Sequence, residues 1–199
     1  MRLSGIAVLA LGLTVGCSGA HAEERGKESQ FHFRVGKVSG SYSGPVSGTF
    51  SVSNSLDFEG EFFTAPKTSW TFRSILAHDL SAGRMMYAYA GVGHNWYLWS
   101  DRVKMDAPDG ATSFSSIPRW RYYIGADIGI SQAIVYTYSP VLQAVSVLID
   151  FGGHCAVIYQ VNRSFGIEGQ FGYTMGFGFS SVSVGATTNR FLFGVSYYL

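Results

Sequence analysis

The sequence predicts an all-β chain: a closed, antiparallel, up-and-down transmembrane β-barrel, with eight strands as the preferred count and ten as the alternative. Three observations predict it. The segment 164–180 (SFGIEGQFGYTMGFGFS) is apolar or glycine at every odd position and small or polar at every even one. Successive side chains of a strand point to opposite faces, so this is a strand with two unlike faces. An aromatic-rich face backed by glycines and a few polar groups is the order of a lipid-facing strand, apolar outward and polar inward. Secondly, the same alternation recurs along the chain. Thirdly, aromatic residues make up 16% and charged residues only 14%, against about 25% charged in ordinary soluble domains. No run of 18 apolar residues follows the first twenty, which argues against a helical span.

The chain opens with a targeting segment. Arg2 precedes the apolar stretch 6–15, and Ala20-His21-Ala22 is an A-x-A site, so residues 1–22 read as a secretory signal peptide cleaved before Glu23. Thr14-Val15-Gly16-Cys17 offers the competing reading of a lipobox with lipidation at Cys17. Removing the leader takes Arg2 with it and leaves 13 basic against 13 acidic residues. A nucleic-acid partner is therefore not expected. One cysteine, Cys155, lies beyond the leader, so no disulfide framework is implied.

Residues 23–45 are expected to form an N-terminal tail that can include a first strand, because Phe31-His32-Phe33-Arg34-Val35-Gly36 alternates. The barrel proper is expected over 46–199. Residues 46–62 carry the longest alternation, with Phe50, Val52, Leu56, Phe58 and Phe62 on one face and serines, Asp57, Glu59 and Glu61 on the other. A turn at Ala65-Pro66-Lys67 ends it. Residues 69–79 set Trp70, Phe72 and Leu76 against Thr71, Arg73 and Asp79. Residues 85–99 set Ala88, Val92, Trp96 and Leu98 against Tyr87, Tyr89, Asn95 and Tyr97. The long polar stretch 100–118 reads as an exposed loop.

Residues 119–130 follow, with Trp120, Tyr122 and Ile124 opposing Arg119, Arg121, Tyr123 and Asp127. Ser131-Gln132 is expected to turn into a further strand ending near Ser139-Pro140. Over 141–161 the odd face is apolar and the even face holds Asp150, His154 and Gln160, with Gly152-Gly153 able to turn. A polar turn is expected over 181–189, and 190–199 closes the chain. Eight strands result when 46–62 is one strand; ten result when 31–38 is added and Asn54 marks a turn. Both counts are even, as single-chain bacterial barrels require.

The ending carries a resemblance. Phe191, Phe193, Val195, Tyr197 and Leu199 are apolar at alternate positions with Gly194 and Ser196 between them. This resembles the C-terminal strand of small bacterial outer-membrane barrels of the OmpA and OmpX type, although Leu199 stands where an aromatic residue is usual. The resemblance implies an outer-membrane location, contact with outer-membrane lipid and lipopolysaccharide, and engagement of the barrel-assembly machinery by the C-terminal strand. It names no surface ligand.

An eight-stranded barrel has an interior just wide enough for side chains to fill. Asp57, Glu59, Glu61, Asp127, Asp150 and Glu168 are expected to face inward against Arg73, Arg119, Arg121 and Arg190, as an ion-pair network that plugs the lumen. Trp70, Trp96, Trp99, Trp120 and Tyr197 are expected as aromatic girdles near the two interfaces. No catalytic, metal or cofactor residues are assigned. His94, near the long loop, and His154 are the candidates for the alternative, a lipid-modifying barrel enzyme. Asp150 and His154, four residues apart on one face, are about 13 Å apart along a strand and too distant to pair. His78-Asp79 reads as a solvated turn. The expected function is non-enzymatic: an envelope-structural or surface-loop-binding barrel.

Overall fold

The computed structural model describes residues 29–44, 47–65, 67–79, 84–99, 103–106, 113–116, 119–136, 143–162, 164–179 and 183–199. The expected signal peptide, Cys17 and the start of the expected tail lie outside these residues, as does most of the loop 100–118. The strands are β1 (Ser29–Ser43), β2 (Gly48–Ala65), β3 (Thr68–Asp79), β4 (Arg84–Trp99), β5 (Val103–Asp106), β6 (Ser113–Ser116), β7 (Trp120–Tyr136), β8 (Gln143–Gln160), β9 (Phe165–Phe179) and β10 (Ser183–Tyr198). Eight of them close a barrel in the order β1-β10-β9-β8-β7-β4-β3-β2, every pair antiparallel. Among the described residues the short β5 and β6 pair with each other alone. Closure leaves no unpaired edge, the condition for β-structure to stand in hydrocarbon.

The count of eight is reached by a different set of strands from the one the sequence suggests. The barrel starts at Ser29, not at residue 46: β1 is a full member, hydrogen-bonded to β2 on one side and to β10 on the other. Ser131-Gln132 and Gly152-Gly153 make no turns, so β7 and β8 each run through them. The stretch 181–189 is largely strand, since β10 begins at Ser183. Hydrogen-bonded partners on both sides outweigh the weak local turn preference of these small residues.

Facing follows the alternation, with apolar residues outward and polar residues inward. Phe33, Phe58, Phe72, Ile128, Phe151, Phe171 and Phe193 are exposed on the outer wall, and Arg34, Asp57, Arg73, Asp127 and Glu168 are buried inside. One break occurs on β2. Gly36 pairs with Ser55 and Val38 with Val52, so Ser53 and Asn54 together oppose Lys37. This is a β-bulge. Both bulge residues are exposed, and the facing of β2 changes across it: Phe50 and Val52 turn inward, while Leu56 and Phe58 look out. Asn54 therefore marks a bulge rather than the turn of the ten-strand alternative.

The Trp and Tyr residues expected as girdles gather at one end of the barrel. Trp70 lies near the start of β3, Trp96 near the end of β4, Trp120 at the start of β7 and Tyr197 near the end of β10, and all four are exposed at the end of the barrel that holds both strand termini Ser29 and Tyr198. The expectation of girdles at two interfaces is corrected for these residues, because strands running in alternate directions bring their starts and ends to one rim. Trp99 belongs to β4 at the same end, and its side chain lies outside the described residues.

Candidate functional site

The lumen is the candidate site, and its centre is Arg34 on β1. Nη1 donates to Asp57 Oδ2 at 2.6 Å and to Glu59 Oε2 at 2.8 Å, Nε donates to Glu168 Oε1 at 2.5 Å, and Nη2 donates to the Tyr123 hydroxyl at 3.1 Å. The residue is fully buried. One guanidinium fork thus ties β1 to β2, β9 and β7. Arg73 on β3 clamps Asp57 from the other side with two bonds, Nε to Oδ1 at 2.9 Å and Nη2 to Oδ2 at 2.7 Å, and also donates to Gln170 Oε1. Planar two-pronged contacts of this kind fix geometry as well as charge.

Toward the strand termini, His32 bridges two carboxylates, with Nδ1 2.7 Å from Glu168 Oε2 and Nε2 2.9 Å from Glu61 Oε2. Glu61 also accepts from the Tyr97 hydroxyl at 2.7 Å and from the Ser69 hydroxyl. On the far side of the barrel Asp127 takes Arg190 Nη2 at 3.0 Å, His154 Nδ1 at 3.1 Å and the Tyr89 hydroxyl at 3.2 Å. His154 Nε2 lies 2.9 Å from Asn95 Oδ1. The network therefore spans β1, β2, β3, β4, β7, β8, β9 and β10.

Apolar clusters flank this charged layer on both sides. Beyond it, away from the termini, Val38, Tyr42, Phe50, Val52, Ile75, Tyr87 and Leu148 fill the lumen as an apolar cluster in which Phe50 stacks on Tyr42 and on Tyr87. At the terminal end Tyr97, Tyr123, Ala156 and Ile158 form a second cluster with Phe63 against it. Charges buried in this interior lose water, and that loss is offset only when each is paired and hydrogen-bonded.

The positions of the sequence-derived residues can be stated one by one. Asp57, Glu59, Glu61, Arg73, Asp127, Asp150, Glu168, Arg121 and Arg190 are buried in the lumen. Arg119 is not: it is exposed, 5.9 Å from the ring of Tyr159. It precedes β7 at the rim, where the parity it shares with Arg121 no longer sets a facing. Arg121 packs over the rings of Tyr97 at 4.3 Å and Tyr198 at 4.9 Å and donates to Gln30 Oε1 at 3.1 Å. Asp150 meets the Tyr87 hydroxyl at 3.1 Å, deep in the apolar plug. His32, Arg34 and Asn95 were not among the lumen residues inferred from sequence, although the alternation Phe31-His32-Phe33-Arg34-Val35 carries the signal for the first two.

The histidine candidates separate. His94 is on the outer wall, its ring edge-on to Trp70 at 4.9 Å and to Trp96 at 4.8 Å, on the opposite face from every lumen carboxylate. His154 and Asp150 hold different partners, Asp127 and Tyr87. Among the described residues no group of three His, Cys, Asp or Glu side chains is placed to hold a metal.

Comparison with family models and with characterised protein sequences gives no match. Solved structures do share the fold. The crystal structure of Neisserial surface protein A aligns with a TM-score of 0.52 and 13% identity, over 85% of this chain and 96% of that one. The N-terminal β-barrel domain of Pseudomonas aeruginosa OprF aligns with a TM-score of 0.47 and 8% identity, over 87% and 98%. Ail of Yersinia pestis aligns at 0.45 and 11%.

Proposed function

We propose that the protein is a non-enzymatic outer-membrane barrel with a sealed lumen, serving as a rigid envelope scaffold or as a mount for its rim segments. The observation that carries this reading is the ion-pair layer centred on Arg34 and closed above and below by apolar clusters. Such an interior supports stability and argues against a water-filled pore. The continuous outer belt of exposed Phe, Ile, Val and Leu supports residence in a bilayer, since a patch of that size in water would drive aggregation. The C-terminal strand supports recognition by the assembly machinery, because its outward residues Phe191, Phe193 and Tyr197 present an apolar face.

The lipid-modifying alternative gains nothing from the geometry. A nucleophile or base must lie within hydrogen-bond reach of its partner and of substrate. His94 is flanked by indoles and His154 is buried behind Tyr123 and Asn95.

The test has two arms. Protein refolded into detergent or vesicles is expected to give a β-rich circular-dichroism spectrum and to migrate differently on a gel before and after boiling. Planar-bilayer recordings are expected to show no steady conductance, because eight strands leave only enough room for side chains. Reproducible porin-sized steps would overturn the sealed lumen. Failure to enter vesicles would overturn the membrane residence.

A further inference from the structure

The two lumen histidines differ in what surrounds them. His154 faces one carboxylate, Asp127, which already holds Arg190 at 3.0 Å and Arg73 at 3.8 Å. His32 faces two. Its Nδ1 is 2.7 Å from Glu168 Oε2 and its Nε2 is 2.9 Å from Glu61 Oε2, with all three side chains fully buried. A neutral imidazole carries one N–H and one lone pair. Between two carboxylates it satisfies one and turns its lone pair on the other. An imidazolium donates to both.

The other neighbours agree with the charged form. Glu168 accepts from Arg34 Nε at 2.5 Å, and Glu61 accepts from the Tyr97 hydroxyl at 2.7 Å, from Asn95 Nδ2 at 3.2 Å and from the Ser69 hydroxyl. Groups that only accept are ionised carboxylates. Among the described residues Glu61 has no guanidinium within ion-pair distance, and its one ion-pair partner is His32. Arg121 of β7 is stacked on the Tyr97 ring and bonded to Gln30 instead. Opposite His32 stand Glu59 on β2 and Ser196 on β10, and the Tyr123 ring of β7 lies 6.4 Å away. Arg34, the next inward residue of β1, is shared among Asp57, Glu59 and Glu168. A buried carboxylate without a matching charge is costly, so the cation that matches Glu61 is His32.

We propose that Glu61, His32 and Glu168 form a proton-binding site, in which one proton held on His32 serves as a structural cation pinning β1 to β2 and β9. It does at this level what the Arg34 guanidinium does one step farther in. A guanidinium keeps its charge in any solution a protein meets. An imidazolium releases its proton, so this pin is removable. Folding takes up a proton that a histidine free in water gives up in alkaline solution. While the carboxylates stay ionised, the stabilisation is complete below the ordinary titration range of histidine and is lost as pH rises past it.

Nitrogen-15 NMR of the detergent-refolded protein with labelled histidine tests the site at about pH 8, where a free imidazole is mostly neutral. Both ring nitrogens of His32 are expected to carry a proton, each with its own one-bond N–H coupling. A single N–H on His32 at that pH overturns the proposal. Urea midpoints in detergent give the second reading. Between about pH 7 and 9 the wild-type folding equilibrium constant is expected to fall relative to that of His32→Gln, by up to about tenfold per pH unit, the slope of one proton. Comparison with His32→Gln removes the contributions of Cys155 and the buried tyrosines, which both proteins share. Glu61→Gln is expected to shrink the slope, because a neutral His32 then satisfies Glu168 with its N–H and accepts from the new amide. Parallel pH profiles for wild type and His32→Gln overturn the proposal as well. If His32→Gln does not fold, the wild-type spectrum decides, with His32 identified through the backbone of β1. Both readings are made in detergent and stand apart from membrane residence: a folded barrel that fails them loses this site alone.

Discussion

Arg34 and Asp57 stand directly opposite one another on β1 and β2, and their side chains meet at 2.6 Å within the lumen. Asp57 is shared with Arg73, and Arg34 is shared with Glu59 and Glu168, so neither charge has one partner only. Removing Arg34 leaves three carboxylates facing each other without their common cation. Arg34→Met is therefore expected to cost about 3–5 kcal/mol, the range for breaking one side of a buried pair. Arg34→Lys keeps the charge but loses the fork, and its cost is expected to fall between Arg34→Met and none. Urea midpoints of refolding into vesicles read both; an Arg34→Met midpoint equal to wild type would show that the network does not hold the barrel.

Phe171 and Gln170 test the facing of β9 from adjacent positions. Phe171 is exposed beside Phe191, while Gln170 is buried, accepts from Arg73 and donates to the Tyr123 hydroxyl at 3.2 Å. Phe171→Arg places a cation in hydrocarbon and is expected to cost about 2–4 kcal/mol near the midplane. Gln170→Glu keeps the shape and gives Arg73 a charged acceptor, so a cost of about 1 kcal/mol or less is expected. The reverse order of urea midpoints would exchange the two faces of the strand.

Cys155 serves as a label that needs no mutation. It is a free thiol exposed on the outer wall of β8, beside Phe171 in the register with β9. In vesicles a membrane-permeant maleimide is expected to react and a charged one to react slowly, with the difference abolished by boiling in detergent. Equal rates in intact vesicles would place Cys155 in water.

Gly194 tests the seam at which the first and last strands meet. A Cβ there would lie 2.6 Å from Arg34 Cα and 2.8 Å from the Phe33 carbonyl carbon, backbone atoms with nowhere to go. Gly194→Ala is expected to push β1 and β10 apart and cost about 1–3 kcal/mol, an overpacking penalty. At Gly169 a Cβ meets only the ring edge of Phe193, at 3.4 Å, and Gly169→Ala is expected to be near neutral. Equal midpoints for the two variants would mean that the seam tolerates a methyl group.

The barrel was legible because its signal is local. Alternation needs no knowledge of partners, and residues such as Phe171 and Glu168 declare their faces from their immediate neighbours. What escaped is what depends on pairing. The strand holding His32 and Arg34 is short of apolar residues beyond Val35, and only its two partners, β2 and β10, establish it as a full wall member. Ser53 and Asn54 sit among serines, where an extra residue does not disturb the sequence pattern while it reverses the facing of Phe50 and Val52. Arg119 misled because parity holds only inside a ladder. The gathering of Trp70, Trp96 and Trp120 at one rim needs the up-and-down order of the strands, which no single segment contains.

The bulge at Ser53 and Asn54 has a consequence for length. Because facing alternates with every residue, a β2 of the same length paired without the bulge would turn Phe50 and Val52 to the outside and Ser51 inward. The lipid-facing band on this wall would then rise by several residues, at about 3.4 Å of strand each, and the apolar plug would lose two of its members. The bulge thus acts as a gauge stop for the height of the outward apolar band. In the bilayer residence proposed above, it would limit how tall a hydrocarbon layer this side of the barrel accepts, while on β9 Met175 and Phe177 carry the exposed apolar face farther.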